Sequence, residues 1–449
     1  MQSTNATEII DSAKLNRTHY LLVFWCSFIM MLGGYDLVIY GSVLSHLMTD
    51  WNLTPQEAGM LGSSSMIGMM CGAFLLGTLA DRLGRRNIIV FCVALFSIAV
   101  FANAFVQDAW SFAICRFLTG LGLGGVVPNL VTLIKEMAPA HCRNRLINLM
   151  LAFFPVGGLL SGLAGIYMIP SLGWHSPFYV AGLSLLALPF IYYTLPESVA
   201  YLVQRKRFKE AAKILPRLNR EFTPVANETY VLTASSSNGG SGMSSLFANG
   251  QAFSTAMLWA TFCMTMLMVY GLNTWLPKLM TAGGYPLGSS ISFLVTMNIG
   301  ALIGTLVSGV IADRWGCKPT LAVFFAIAAV SISLLGTKPD AYLLYTLLLL
   351  AGGSSVGCLS VVHTLAADLY PAASRSTGVS MAAAVGRSGA VIGPILGGYL
   401  YALALQFEIN FIIFAVPGVI AVFTVLMVAR TKKENFSNPE LYPARSQDL

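Results

Sequence analysis

Long apolar segments recur along the whole of this chain, each close to the roughly 20 residues that a helix needs to cross the hydrocarbon core of a bilayer. Hydrophobic residues make up 56% of the 449 residues and charged residues only 10%, with a mean hydropathy of +0.72. This is the composition of a lipid-embedded protein and not of several soluble domains. The predicted spans are residues 20–48, 56–80, 87–106, 110–136, 143–169, 176–195, 253–281, 287–312, 318–336, 341–367, 373–402 and 406–430.

A charged motif that follows the second apolar segment occurs twice in the chain. GTLADRLGRR at residues 77–86 returns as GVIADRWGCK at residues 309–318, an offset of 232 residues. An offset that holds without gaps over several motifs indicates internal duplication, which is typical of transporters built from two similar halves. We therefore predict an all-α membrane protein with twelve transmembrane helices in two pseudo-symmetric six-helix halves. Further pairs at this offset are Gly68 and Gly300, Gly72 and Gly304, and Glu136 and Asp368.

The positive charges are distributed very unevenly about these spans. Apart from Lys278 and Lys338 on one side, and Arg116 and Arg387 within spans, all lysines and arginines lie on the side of both termini. The positive-inside rule places that side in the cytoplasm. Topology thus accounts for the net charge of +7, and a nucleic-acid partner is not needed.

Four parts of the chain follow from this topology. Residues 1–195 form an N-terminal six-helix half, 196–252 a cytoplasmic linker, 253–430 a C-terminal six-helix half and 431–449 a cytoplasmic tail. The basic residues between positions 205 and 220 alternate with apolar ones. That pattern predicts a helix that lies on the membrane surface.

Two charged residues in the first half lie within spans. Asp36 is in the middle of the first span, where a charge costs about 2.5–3.5 kcal/mol on insertion scales, so we interpret it as functional. The alternative is an ion pair or hydrogen bond that only fixes helix packing. Arg116 in the fourth span either joins a coupling network or extends its side chain to the nearby interface.

In the second half, Arg387 lies well inside the eleventh span. A guanidinium group holds a carboxylate through two parallel hydrogen bonds, so we predict that Arg387 binds an anion. The alternative is an ion pair with Asp36 or a bond to a backbone carbonyl. His363 in the tenth span has a hydrogen-bonded packing role or a proton-linked role.

Aromatic and amide side chains in several spans complete the predicted substrate site. Buried amides are costly in a membrane, whereas aromatic residues such as Trp275 are often interface anchors or packing residues. The predicted substrate-binding residues are Tyr35, Tyr40, Asn129, Tyr270, Asn273, Trp275, Asn298 and Arg387.

The repeated charged loops are predicted to latch neighbouring helix ends together by ion pairs. The alternative is that their positive charge only marks topology. The predicted gating residues are Gly77, Asp81, Arg82, Gly84, Arg85, Arg86, Asp313, Arg314, Asp368 and Arg375.

These motifs resemble those of the major facilitator superfamily and, within it, the aromatic acid:proton symporter family of the benzoate-transporter type. The resemblance covers nearly the whole chain. It rests on the two charged loops and on GGYDLVIYG in the first span, RFLTGLGLGGVVPN in the fourth, PES at 196–198, YPAASRSTG at 370–378 and GRSGAVIGP in the eleventh. By matching position, it implies roles for Asp36, Asp81, Arg116, Glu136, Arg375 and Arg387.

The chain departs from the family pattern at two places. The family has two aspartates in the pattern D-G-[FY]-D, and here Gly33 stands at the first position and only Asp36 remains. This departure bears on any mechanism that needs both carboxylates, and on substrate choice and proton stoichiometry. The second charged loop has Trp315 and Cys317, which predicts a stronger latch in the first half.

From the resemblance we expect a symporter of the bacterial inner membrane that carries an aromatic carboxylate, such as benzoate or hydroxybenzoate, into the cytoplasm by alternating access. The substrate carboxylate is expected on Arg387, and proton coupling on Asp36, Arg116 and Glu136. The alternatives are a carrier of another organic acid or an exporter.

A membrane-bound enzyme or receptor is the alternative from a different class. It requires a metal site, a nucleophile with its base, or a sizeable soluble domain. Five scattered histidines and eight cysteines without CxxC spacing argue against it. We expect no cofactor, with a proton as the coupling ion, and a chain that functions as a monomer in the lipid bilayer.

Overall fold

The computed structural model describes residues 3–224, 229–232, 246–247, 251–370 and 375–428. Helices dominate this part of the chain, and two short 3₁₀ segments, Asn103–Phe105 and Leu183–Ala187, supplement them. The helices are α1 (Ala6–Asp11), α2 (Arg17–Asp50), α3 (Pro55–Leu83), α4 (Arg85–Ala102), α5 (Ala109–Met137), α6 (Arg143–Leu172), α7 (Ser176–Gly182), α8 (Leu188–Thr194), α9 (Val199–Gln204), α10 (Phe208–Leu218), α11 (Ala252–Ala282), α12 (Leu287–Trp315), α13 (Cys317–Leu335), α14 (Ala341–Leu369), α15 (Arg375–Ala402) and α16 (Phe407–Met427).

Within the described residues, twelve helical segments are long and apolar enough to cross a membrane. Eleven of them are built on single long helices, whereas the sixth span, Ser176–Thr194, consists of α7, a 3₁₀ segment and α8. The predicted number of spans and the predicted fold class are therefore confirmed.

The N-terminal segment adds a small strand pair that the all-α prediction did not include. Strand β1 (Ser3–Asn5) pairs in parallel with β2 (Thr229–Val231). The Asn219 amide donates a hydrogen bond to the Ile9 carbonyl at 2.9 Å, and Asp11 forms an ion pair with Arg143. The N-terminus is thus tied to the segment that follows the sixth span.

Helix α10 corrects the prediction of a membrane-surface helix between residues 205 and 220. Its apolar residues Ala211, Leu215 and Leu218 are buried, and α10 contacts α1, α2 and α9. The apolar face is therefore covered by protein, and it is the basic face that is exposed. Alternation of apolar and basic residues does not distinguish these two ways of covering the apolar face.

The contacts divide the chain into two compact units. The division differs from the sequence halves because the ends of α11, α12 and α15 that contain residues 273–299 and 394–404 pack within unit 1. The predicted domain boundaries are a different partition and stay a prediction. Unit 1 contains residues 1–235, 273–299 and 394–404, and unit 2 contains residues 236–272, 300–393 and 405–449.

In unit 1, glycines bring α3 and α5 into backbone contact. A Cβ atom on Gly72 would overlap the backbone of Leu121, and one on Gly124 would overlap the backbone of Met69. Gly68 and Gly120 repeat this arrangement one turn away. Small residues spaced by four allow this close approach of helices in a membrane.

Unit 2 contains the counterpart of this seam, at the offset seen in the sequence. A Cβ atom on Gly300 would overlap the backbone of Leu349, and one on Gly304 would overlap the backbone of Gly353. The duplicated glycines thus have the same packing role in α12 against α14. Both repeated loops also turn at a glycine with positive φ, 98° at Gly84 and 87° at Gly316, where other residues are disfavoured.

We predict that Gly72→Ala and Gly304→Ala destabilise the protein because each methyl group has to displace backbone. Overpacking of this kind costs about 1–3 kcal/mol. The measurement is the melting temperature of the purified protein in detergent.

The matched controls are the glycines five positions further on. The nearest atom to a Cβ on Gly77 is Pro128 Cγ at 4.0 Å, and a Cβ on Gly309 has nothing within 4 Å. Gly77→Ala and Gly309→Ala should therefore melt like the wild type. Equal melting temperatures in all four variants would contradict the close-packed seams.

Candidate transport site

The centre of unit 1 contains a buried ion pair between Asp36 of α2 and Arg116 of α5. The Nη1 atom of Arg116 lies 2.9 Å from Asp36 Oδ1 and donates a second hydrogen bond, of 3.1 Å, to the Asp36 carbonyl. Both side chains are at most 2% exposed. Arg116 therefore does not extend to the interface, and the interpretation as part of a charged network is the one that the structure supports.

This ion pair leaves polar atoms unsatisfied. Within the described residues, Asp36 Oδ2 and Arg116 Nε have no hydrogen-bond partner, although both are buried. A buried polar atom without a partner costs about 1–3 kcal/mol, and more when it is charged. Burial penalises the charged carboxylate while the arginine stabilises it, so a small movement of Arg116 changes the balance between the two protonation states.

The two tyrosines of α2 are packed in the protein interior. Tyr35 donates its hydroxyl to the Pro177 carbonyl at 2.9 Å, and Tyr40 donates to the Ala58 carbonyl. The ring of Tyr40 lies 5.5 Å from the Arg116 guanidinium. Both rings were predicted to contact substrate, but in this conformation their faces are covered by protein.

Trp275 of α11 is also fully buried in unit 1. Its indole Nε1 donates to the Pro394 carbonyl at 2.8 Å, and its ring stacks on Tyr401 at 5.7 Å. Because no ring face is open, the structure supports the packing alternative for Trp275 in this conformation. A role in another conformation stays a prediction.

Three asparagines of the predicted site also lie in unit 1, and all are buried. Asn129 donates to the Gly125 carbonyl at 2.8 Å, and Asn298 donates to the Leu294 carbonyl at 2.9 Å, each one turn back in its own helix. The carbonyl oxygen of Asn298 fills the space beside Gly158. Their carbonyl oxygens form no hydrogen bond with the described residues. The third, Asn273, lies on α11 next to Gly41.

Unit 2 contains the other arginine within a span, Arg387 of α15. It lies within electrostatic reach of Tyr270 and His363. All three side chains are half-buried, and Arg387 forms no hydrogen bond or ion pair with the described residues of unit 2. Unlike Arg116, this guanidinium keeps its donors available.

His363 is engaged with its own surroundings. Its Nδ1 lies 2.7 Å from the Leu359 carbonyl, and the edge of its ring packs against Phe262 at 4.9 Å. These contacts support the hydrogen-bonded packing role for His363.

At the turn between α3 and α4, a cluster of carboxylates and arginines forms. Glu136 lies 3.4 Å from Arg85 and accepts a hydrogen bond from the Ser198 hydroxyl. Glu197 accepts from the backbone N–H groups of Arg86 and Ser198, at 3.1 and 2.9 Å. Glu136 thus belongs to this latch. It lies near the C-terminal end of α5, far along the helix from Arg116.

Glu197 is the functional candidate that the sequence analysis missed. The PES motif at 196–198 was noted only as part of a resemblance, and it places Glu197 and Ser198 immediately after the sixth span. Burial raises the pKa of Glu197, while the backbone N–H groups of Arg86 and Ser198 and the charge of Arg86 oppose this shift. The signal available in the sequence was a carboxylate directly after an apolar span.

The remaining gating residues differ between the two repeats. The Arg82 carbonyl accepts from the Tyr201 hydroxyl at 3.2 Å. In the second repeat Asp313 and Arg314 are exposed, and Asp368 lies 3.8 Å from the Cys317 sulfur. The side chains of Asp81 and Arg375 lie outside the described residues. Among the described residues, the first repeat therefore forms the more extensive latch.

Comparison with known proteins decides the family. The profile of the Major Facilitator Superfamily matches residues 25–304 and 287–446. This chain belongs to the major facilitator superfamily. Its curated relatives place it among the aromatic acid transporters of that superfamily.

Three relatives of this aromatic acid transporter illustrate the similarity. It is 36% identical to the Benzoate transport protein of Acinetobacter baylyi, over 94% of this chain and 92% of that protein. It is 32% identical to the 4-hydroxybenzoate transporter PcaK of Pseudomonas aeruginosa, over 93% of this chain and 94% of that protein. It is 31% identical to the Gallate transporter of Pseudomonas putida, over 93% of each.

The solved structures agree with the fold. The xylose transporter XylE from E. coli, in a partially occluded inward-open conformation, superimposes with a TM-score of 0.73 at 17% identity, over 93% of this chain and 99% of that chain. At this identity the likeness concerns the fold alone. The aromatic acid transporter is therefore a multi-pass membrane protein that performs transport and not catalysis.

We predict a pH-dependent contribution of Glu197 to stability. Because its folded pKa lies above the value of about 4.3 for an exposed glutamate, folding takes up a proton between the two values. The stabilisation from the protonated form is present below this window and is lost as pH rises through the folded pKa. The melting temperature of Glu197→Gln, relative to wild type, should therefore rise with pH.

The control for this experiment is Glu210→Gln, which removes an exposed carboxylate that pairs with Arg207. A plot of its melting temperature against pH should run parallel to that of the wild type. A Glu197→Gln curve that is also parallel to the wild type would contradict the raised pKa.

Proposed function

We propose that this protein takes up an aromatic carboxylate, benzoate or a hydroxybenzoate, together with a proton by alternating access. The observation that carries the proposal is the contrast between the two arginines inside its spans. Arg116 is neutralised by Asp36, whereas Arg387 keeps its donors free in unit 2. A free guanidinium inside a span requires an anionic partner, because an unpaired charge there is costly.

The chemistry of the substrate follows from Arg387 and from the relatives. The planar fork of arginine matches the geometry of a carboxylate with two parallel hydrogen bonds. The relatives are named for benzoate, 4-hydroxybenzoate and gallate, which all combine a carboxylate with an aromatic ring. Tyr270 lies close enough to Arg387 to interact electrostatically and provides a half-buried ring beside the proposed carboxylate site.

Proton coupling is assigned to Asp36. Gly33 replaces the first aspartate of the family pattern, and a Cβ atom there would lie only 3.2 Å from Leu123 Cδ2. The packing around Gly33 thus leaves little room for a second carboxylate beside Asp36. A proton on Asp36 weakens its attraction to Arg116, and the loss of that attraction provides the change that alternating access requires.

The proposed location is the bacterial inner membrane, with both termini in the cytoplasm. The exposed basic face of α10 lies on the side of the N-terminal helix α1, and the positive-inside rule assigns a basic face to the cytoplasm. The chain is proposed to work as a monomer with a proton as its coupling ion and without a cofactor.

The test of this proposal is benzoate transport by proteoliposomes with and without an inward proton gradient. Wild-type protein should accumulate benzoate only with the gradient and should bind benzoate better than benzamide, which has no charge. Charge-assisted hydrogen bonds contribute about 1.5–3 kcal/mol. Arg387→Ala should therefore lose about 10- to 100-fold in benzoate affinity and bind both compounds equally.

Two further variants make the test specific. Arg387→Lys should show intermediate affinity because an ammonium group is a point charge without the planar fork. Arg314→Ala removes an exposed arginine of the same half and should leave affinity unchanged. Unchanged preference for benzoate over benzamide in folded Arg387→Ala protein would remove Arg387 from the site, and gradient-independent accumulation would refute symport.

A further inference from the structure

Tyr40 connects three helices of unit 1 to the buried ion pair. It lies one turn beyond Asp36 on α2 and is 1% exposed. Its ring faces the Arg116 guanidinium of α5 at 5.5 Å, and its hydroxyl donates to the Ala58 carbonyl of α3 at 2.5 Å. Substrate contact does not explain this position, because the ring is enclosed by protein.

The opposite edge of the ring borders a tight contact between α3 and residues 394–398 of α15, which we call the outer segment. A Cβ atom on Gly62 would lie 2.7 Å from Tyr40 Cε1 and 3.4 Å from Pro394 Cβ. One turn earlier, a Cβ atom on Gly59 would lie 2.7 Å from the Pro394 carbonyl oxygen. The Tyr40 ring therefore fills the space directly beside this contact.

Tyr40 also belongs to an aromatic cluster, which is formed by Tyr40, Phe112, Trp51, Trp174 and Phe178. Phe112 is its centre, with ring centroids 6.3 Å from Tyr40, 5.6 Å from Trp51 and 5.7 Å from Phe178. Trp51 follows the end of α2, and Trp174 precedes α7, so the cluster occupies the end of unit 1 away from helix α1. Within the cluster Tyr40 is the ring that faces both Arg116 and Gly62.

This arrangement restricts how Arg116 can move. The guanidinium is held by Asp36 and by the Tyr40 ring, and a cation–π contact contributes about 0.5–2 kcal/mol. When Asp36 becomes neutral, the ion pair weakens, while the hydrogen bond to the Asp36 carbonyl and the contact with the Tyr40 ring remain. A ring that follows the guanidinium has to slide along Gly62, whose surroundings leave no spare space.

Few other charges face this group. Tyr35 and Tyr40 on α2 and Arg116 on α5 are the titratable or charged groups beside Asp36. Helices α3, α6, α7, α10 and α11 also contact α2, and in the described part of unit 1 none of them provides a charged side chain that bonds to the ion pair. The charge state of this group therefore depends on Asp36.

We propose that Tyr40 is a positioning residue that transmits the protonation state of the Asp36–Arg116 pair to the contact between α3 and the outer segment. Protonation of Asp36 releases Arg116, the Tyr40 ring shifts with it, and the contact at Gly59 and Gly62 loosens. The inference rests on the proposed proton coupling, and it assigns to Tyr40 a role other than the substrate contact first predicted for it.

The experiment measures how fast a cysteine at this contact reacts with a membrane-impermeant maleimide as pH changes. The reporter is Ala58→Cys, at a fully buried position of α3, in a full-length background that lacks the eight native cysteines and retains transport. Rates are divided by those of Gln107→Cys, an exposed site at the same end, because maleimide chemistry itself depends on pH. With Tyr40 present, the normalised rate should rise as pH falls.

The variants distinguish a failure of the Tyr40 inference from a failure of the proposed proton coupling. Asp36→Asn and Tyr40→Leu should each abolish the pH dependence, whereas Tyr40→Phe, which keeps the ring, should retain it. Phe112→Leu is the matched control, since it removes a fully buried ring of the same cluster and should keep the pH dependence. A pH dependence that survives in Tyr40→Leu but not in Asp36→Asn overturns the inference alone. No pH dependence with Tyr40 and Asp36 both present overturns the proposed coupling as well.

A second variant covers the case in which Tyr40→Leu does not fold. Gly62→Ala pushes on the ring from the other side, because its Cβ atom would lie 2.7 Å from Tyr40 Cε1. Coupling between two sites is reciprocal, so this push should shift the pH midpoint of reporter labelling. Gly288→Ala, in the part of α12 that belongs to unit 1, adds a Cβ atom with nothing within 4 Å and should leave the midpoint in place. An unshifted midpoint in folded Gly62→Ala protein would also overturn the inference.

Discussion

The buried ion pair of Asp36 and Arg116 is the interaction on which the rest of unit 1 depends. Two opposite charges that are at most 2% exposed lose their hydration, and removal of one partner from such a pair costs about 3–5 kcal/mol. The pair is retained although Asp36 Oδ2 and Arg116 Nε lack partners in the described structure. An interaction that is both costly and incompletely satisfied is well suited to a change of protonation state and poorly suited to stability alone.

Close helix packing determines how this charge is used. The glycines of α3 and α5 bring these two backbones together, and α5 also provides Arg116 as the partner of Asp36 on α2. The same device in α12 and α14 shows why glycines recur at a fixed offset in the two halves. Glycine seams transmit movement because they leave no space in which a displaced side chain can be absorbed. A similar close contact joins Gly59 and Gly62 of α3 to the outer segment.

Much of the fold could be predicted from the sequence, because span length, loop charge and the repeat depend on local composition. The prediction that Asp36 and Arg387 are functional also came from the sequence, through the cost of a charge within a span. The partner of Asp36 did not follow, because the facing of α2 and α5 depends on packing between residues 80 positions apart. For the same reason Tyr40 and Trp275 were expected to line a substrate site, whereas tertiary contacts cover both rings.

Glu197 was overlooked because its hydrogen-bond partners are backbone N–H groups, which leave no pattern in the side chains.

The most direct test of the central claim compares two transport modes of Asp36→Asn in proteoliposomes. Asparagine keeps the size and most hydrogen bonds of aspartate but carries no exchangeable charge. We expect this variant to exchange benzoate across the membrane while failing to accumulate it on an inward proton gradient, with Asp340→Asn at an exposed position behaving like the wild type. Wild-type accumulation by Asp36→Asn, at equal protein content, would contradict the account and return the Asp36–Arg116 pair to a packing role.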